Sequence, residues 1–110
     1  MSEDAVDIAW LREMVGARRY SVRSHVLRHT LEEGFECNHC IDVIMTGRII
    51  EHYPDESRCL VLGWFEFTPG AKSALHVVCD YSDRRCVDIV TAYIPQRPWW
   101  ESPQRRRRVS

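Results

Sequence analysis

The sequence has no apolar run long enough to cross a membrane. Its longest, Cys59 to Phe65 and Leu75 to Cys79, fall far short of the ~18 residues that a spanning helix needs. It also lacks the basic-then-apolar order of a signal peptide, because MSEDAVDIAW is acidic. These absences predict a cytoplasmic protein with no membrane partner. There is no internal repeat, which excludes a solenoid. There is no disulfide framework either: five cysteines (Cys37, Cys40, Cys59, Cys79, Cys86) make an odd set, so free thiols are expected. Nor is there an excess of charge, the net value being -1. The layout is uneven, with acid at Glu3, Asp4 and Asp7, base through Arg18, Arg19, Arg23 and Arg28, acid again through the middle, and Arg105 to Arg108 at the end. That clustering, not the total, permits contact with nucleic acid.

What is present is enough for one core: 110 residues with an apolar share of 45%. Ala5, Ile8, Ala9, Trp10, Leu11 and Val15 recur at near-helical spacing, with Ser2 or Asp4 placed to cap and Gly16 to stop. Arg19 to Val22 reads as a short strand. Ser24 is expected to cap a second helix carrying Val26, Leu27, Thr30 and Leu31 and ending at Gly34 in a left-handed exit. A third helix runs from Cys37 through Ile41, Val43, Ile44 and Met45 to Gly47. The period then changes to strand, over Arg48 to Tyr53, Arg58 to Phe67, Ala74 to Tyr81 and Cys86 to Ile94, with turns at Pro54-Asp55, Thr68-Pro69-Gly70 and Ser82 to Arg85. Pro95, Pro98 and Pro103 are expected to forbid regular structure in the tail. Strands joined by tight turns pair antiparallel, so the expected fold is α+β, a βααβββ-like layer pair with an extra N-terminal helix and the helices on one face of a small antiparallel sheet.

The run YSVRSHVLRHTLEEGFECNHCIDVIMTGRIIEHYP, then CLVLGW, ALHVVCDY and VDIVTAYIPQRPWW, resembles the bacterial family known as domain of unknown function 4258, over about residues 20 to 100. The landmarks stand in the family's order: Ser24 and His25 at the strand-to-helix step, Gly34, Gly47 with Ile49 and Ile50, Tyr53, Cys59, Gly63, His76 with Val77 and Val78, Thr91, Tyr93, Pro95, and Trp99 or Trp100. That family in turn resembles the RelE and MqsR toxins, small ribonucleases that cut messenger RNA, and its members often sit beside zinc-finger antitoxins of the MqsA type. The resemblance implies a RelE-like domain at 19-100, preceded by an N-terminal helix at 1-18 and followed by a basic tail at 101-110. It implies the toxin of a type II toxin-antitoxin pair, a hydrolase of messenger RNA held by an antitoxin of zinc-finger or helix-turn-helix type. The alternative is a non-catalytic protein-binding domain of the same fold. The chain departs from the family at the hairpin tip, Thr68-Pro69-Gly70-Ala71, and in carrying Cys37-Asn38-His39-Cys40.

Metal-free cleavage of RNA by 2′-hydroxyl attack needs a base, positive charge on the phosphate and an acid for the leaving oxygen, and no cofactor. His25, at the start of the second helix where free N–H groups favour phosphate, His76 in mid-strand on the face opposite Leu75 and Val77, and Tyr93 on the last strand are the catalytic candidates. Convergence on the sheet's uncovered face is expected of them. Each has a plainer reading as a backbone-bonded, half-buried or core side chain. Arg23, Arg28 and Arg58 are the candidates to hold phosphate, although Arg23 and Arg28, five positions apart, do not share one helix face and Arg28 reads equally as a solvent charge. Trp99 with Arg105 and Arg106 is placed to bind single-stranded RNA by stacking and charge, or else to cover the sheet edge and keep the chain soluble. The lone CxxC would need two further zinc ligands from His29, His52, Cys79 or Cys86, and also suits a redox pair. Packing and capping is the preferred reading, and it predicts that replacing Cys37 and Cys40 together by serine leaves fold and activity nearly intact.

Overall fold

The computed structural model describes residues 6–95 and the backbone of 100–102 and 105–106. Helix α1 (Ile8–Gly16) turns Leu11, Met14 and Val15 inward at helical spacing. Its cap is Asp7, whose carboxylate accepts the Trp10 N–H at 2.9 Å. Ser2 and Asp4, the expected caps, lie outside the described residues. After β1 (Tyr20–Val22), α2 (Ser24–Glu33) starts from an extended Arg23 with no side-chain cap, so Ser24 is the first helical residue and not the cap. Gly34 ends α2 with φ 83, the left-handed exit expected.

Helix α3 (Cys37–Thr46) is fastened to α1 by Arg12, which donates to the carbonyls of Ile44 and Gly47 at 3.1 and 2.8 Å. These are C-terminal carbonyls that the helix itself leaves unpaired. Gly47 is needed here for close approach, since a Cβ would fall on the carbonyl oxygens of Val43 and Leu62.

Four strands follow: β2 (Arg48–Tyr53), β3 (Arg58–Thr68), β4 (Ala71–Asp80) and β5 (Val87–Tyr93), with one 3-10 turn, Pro54–Glu56, between the first two. They return as a meander across a sheet of order β1-β5-β4-β3-β2. The sheet is mixed, not antiparallel throughout, because β1 pairs with β5 in parallel, Tyr20 to Val22 against Val87 to Ile89. The αα unit joins β1 at one edge to β2 at the other, so it must cross one face of the sheet. The architecture is α+β as expected.

On that helix-covered face α3, through Val43 and Ile44, packs against β3 and β4, with Cys59, Val61, Phe65, Leu75, Val77 and Cys79 in the same core, while β5, with Ile89 and Ala92, is met by α2 and α1. Two irregularities set which residues face away. Val90 is extra in β5, because Thr91 pairs with Val78 while Ile89 pairs with Cys79. Ile50 is extra in β2, between the pairs Ile49 with Val61 and Glu51 with Leu60.

Beyond Pro95 the tail is not devoid of strand: β6 (Trp100–Ser102) and β7 (Arg105–Arg106) pair antiparallel. Neither strand contains a proline, so each keeps its ladder donors. Among the described residues no helix is long and apolar enough to cross a membrane.

Candidate functional site

The register lines up Arg48, Leu62, His76 and Tyr93 as one row across β2, β3, β4 and β5, on the face turned from the helices. His76 and Tyr93 touch. Their rings meet edge-on at 5.2 Å, and His76 Nδ1 lies 3.4 Å from the Tyr93 hydroxyl, a long hydrogen bond in either tautomer. Alternation placed His76 on the correct face, but the expectation that this face leaves it accessible is overturned: its exposure is 0%. Leu60 and Leu62 on the same face are buried as well. Its cross-strand neighbours on this face are Leu62 of β3 and Tyr93 of β5.

His25 is exposed on the first turn of α2 and makes a tilted ring contact with His29, ring centroids 4.4 Å apart. His29 Nδ1 lies 3.1 Å from the carbonyl of Ala92, beside Tyr93. His25 thus reaches the strand of Tyr93 through His29, and the three candidates do not form one tight cluster. The arginines are mostly engaged. Arg23 pairs with Asp88 at 2.7 Å, and Asp88 also accepts the Ser21 hydroxyl. Arg58 pairs with Asp80 at 3.1 Å. Burial works to raise the Asp80 carboxyl, but hydrogen bonds from Ser82 and Arg58 outweigh it and hold the group below its ordinary value. Arg28 is exposed on α2. Trp99 lies outside the described residues; Arg105 and Arg106 are described by backbone alone, within β7.

Sequence reasoning missed several members of this neighbourhood. Arg48 shares the His76 row, and Tyr53 donates to the Glu51 carboxylate two residues before it on the same face. Counting alternation back along β2 fails to find them, because the bulge at Ile50 reverses the phase. His29 and Glu33 were findable: with His25 they stand at i, i+4 and i+8 on one helix face.

The CxxC segment is cap and packing. His39 Nδ1 accepts the Glu36 N–H at 2.9 Å at the start of α3, and its ring lies 4.7 Å from that of Phe65. Cys40 is fully buried, and burial with the neighbouring Cys37 pushes its thiol up to about 12, opposite to the lowering a redox thiol needs. Cys79, directly opposite Cys59 on β3, is raised by its hydrogen bond with Cys59 and by burial. Among the described residues no three His, Cys, Asp or Glu gather as a metal-binding group.

The α+β fold carrying this histidine–tyrosine pair is the setting in which the family becomes visible. A family model described as domain of unknown function (DUF4258) matches residues 22–94, from the end of β1 to just past Tyr93, and the chain belongs to that family. No curated protein and no solved structure matches the chain.

Proposed function

We propose that the chain is the ribonuclease of a two-protein toxin-antitoxin pair, RelE-like in fold, cutting messenger RNA in the cytoplasm by metal-independent 2′-hydroxyl attack and held by its antitoxin. The observation that carries this reading is the contact of His76 with the Tyr93 hydroxyl. It gives a phenol backed by an imidazole shielded from water, on the strand that His29 links to the exposed His25 of α2. Catalytic hydrogen bonds are often long before substrate binds, so 3.4 Å does not count against the pair. In this reading Tyr93 exchanges the proton, His76 positions it, and His25 with Arg28 meets the phosphate. Arg23 and Arg58 must leave their aspartates to take part.

A second reading, a partner-binding domain without chemistry, is favoured by a separate observation. Trp64 and Phe67, 54% and 53% exposed, sit at the far end of the β3–β4 hairpin. Large apolar side chains displayed in this way suit a protein interface.

The two readings separate by experiment. Purified protein incubated with single-stranded RNA in chelator should cleave it, and Tyr93→Phe should lower the rate about 100-fold with the melting temperature unchanged. Intact RNA with wild-type protein, together with a co-purifying partner protein that is lost on Trp64→Ser, would favour the second.

A further inference from the structure

We infer that His29 and Glu33 are positioning residues that grip the backbone on both sides of Tyr93 and so set its hydroxyl against His76. The importance of Tyr93 to a reaction rests on the ribonuclease reading; the grip itself does not.

The argument begins at the edge of the sheet. β1 covers the outer edge of β5 only as far as Ile89, where the Arg23 N–H gives the last backbone bond, 3.1 Å to the Ile89 carbonyl. Beyond it, among the described residues, β5 has no strand on that side to satisfy its outward groups. Along a strand these alternate, so the Ala92 carbonyl and the Ile94 N–H point outward while the backbone of Tyr93 faces β4. Both outward groups are met by side chains of α2. His29 Nδ1 stands 3.1 Å from the Ala92 carbonyl, and Glu33 Oε1 accepts the Ile94 N–H at 3.3 Å. One turn of helix thus replaces one rung of strand.

The chemistry of the two groups is fixed by what they face. A carbonyl only accepts, so His29 must carry its proton on Nδ1. Glu33 Oε2, 3.3 Å from the same nitrogen, favours that tautomer and ties the two grips into one unit. Both side chains are half-buried, which shields the bonds from exchange with water. The tilted ring contact of His25 with His29 then sets the spacing between the exposed imidazole and β5. Tyr93 is held from both neighbours along the chain, and its ring has little freedom to leave His76.

The test uses the full chain and four variants, His29→Leu, His29→Gln, Glu33→Leu and Glu33→Gln. Glutamine can donate to the Ala92 carbonyl or accept from the Ile94 N–H; leucine can do neither. The readouts are amide exchange at Ile94 and the 15N shift of the His76 ring. Each leucine variant should move the His76 signal, and Glu33→Leu should speed Ile94 exchange at least about tenfold, while Val77 in the core stays protected. The glutamine variants should restore both readouts. An unmoved His76 signal with an unchanged Ile94 rate in the leucine variants would overturn the inference, as would glutamine variants no better than leucine. If the leucine variants do not fold, the glutamine pair must still keep wild-type values. RNA cleavage is read separately: a wild type that cuts no RNA removes the proposed function and leaves these outcomes intact.

Discussion

The two faces of the sheet share the same strands but are held by different forces. Toward the helices, Val61, Leu75, Val77 and Ile89 are buried in one apolar core, each such side chain contributing roughly 1.5–3 kcal/mol on burial. On the other face one end carries Arg58 with Asp80 and Arg23 with Asp88, and the other end carries Leu62, His76 and Tyr93. An ion pair of the first kind is worth about 0–1 kcal/mol. The ion-pair end of that face is therefore where stability depends least on side chains, whereas Leu60, Leu62 and His76 are as buried as the residues beneath the helices.

The sharpest way to break this asymmetry is at Gly47. Alanine there would drive a methyl group into two backbone carbonyls, which cannot move without lifting α3 from β3. Gly47→Ala should cost about 3 kcal/mol or more in urea unfolding. A loss under about 1 kcal/mol would mean that the seat of α3 yields and that the helix side is less rigid than its packing implies.

The cysteines give a medium-sized test within one motif. Cys40→Ser puts a hydroxyl into the apolar layer and should cost about 1–3 kcal/mol, whereas Cys37→Ser, half-buried at the start of the helix, should stay within about 0.5 kcal/mol. This corrects the expectation that replacing both is nearly neutral: packing is the role of Cys40, and packing of this kind is not indifferent to polarity. Equal effects from the two variants would show that Cys40 is not part of the core.

The smallest effect belongs to the opposite face. The Asp80 carboxyl is held below its ordinary value of 3.8, so the unfolded chain takes up its proton first as the pH falls. Its contribution is complete above that ordinary value and is lost as the pH drops through the lower folded value. Asp80→Asn should flatten the acid limb of the stability curve by up to about 1 kcal/mol. An unchanged slope between pH 5 and pH 2 would show that the bonds from Ser82 and Arg58 contribute nothing.

The elements were largely legible in the sequence because local signals carry them: the shift from helical to alternating period after Gly47, the left-handed stop at Gly34, and the Thr68-Pro69-Gly70 turn. The face of His76 was legible for the same reason. What could not be read involves partners distant along the chain. Nothing local to Tyr20–Val22 announces a parallel match to Val87–Ile89. Nothing in ALHVVCD tells whether the imidazole will be buried. Ser24 was misjudged as a cap because its type suits the position, while the chain turned helical one residue earlier. The role of His29 was open to spacing arguments, but its target, a bare strand edge, exists only once β1 has stopped short.

The extra residue in β5 gives the chain a form of slack. In a regular ladder continued from Ile89, Tyr93 would point among the helices and Ala92 away from them; the bulge at Val90 is what turns them round. A chain lacking Val90 could therefore run flat from Ile89 to Tyr93 with every side chain still on its present side. Loss of two residues there would instead invert the end of the strand and part Tyr93 from His76. Between Ile89 and Ala92 one residue is enough to keep the sides as they are, and the second is what the bulge takes up.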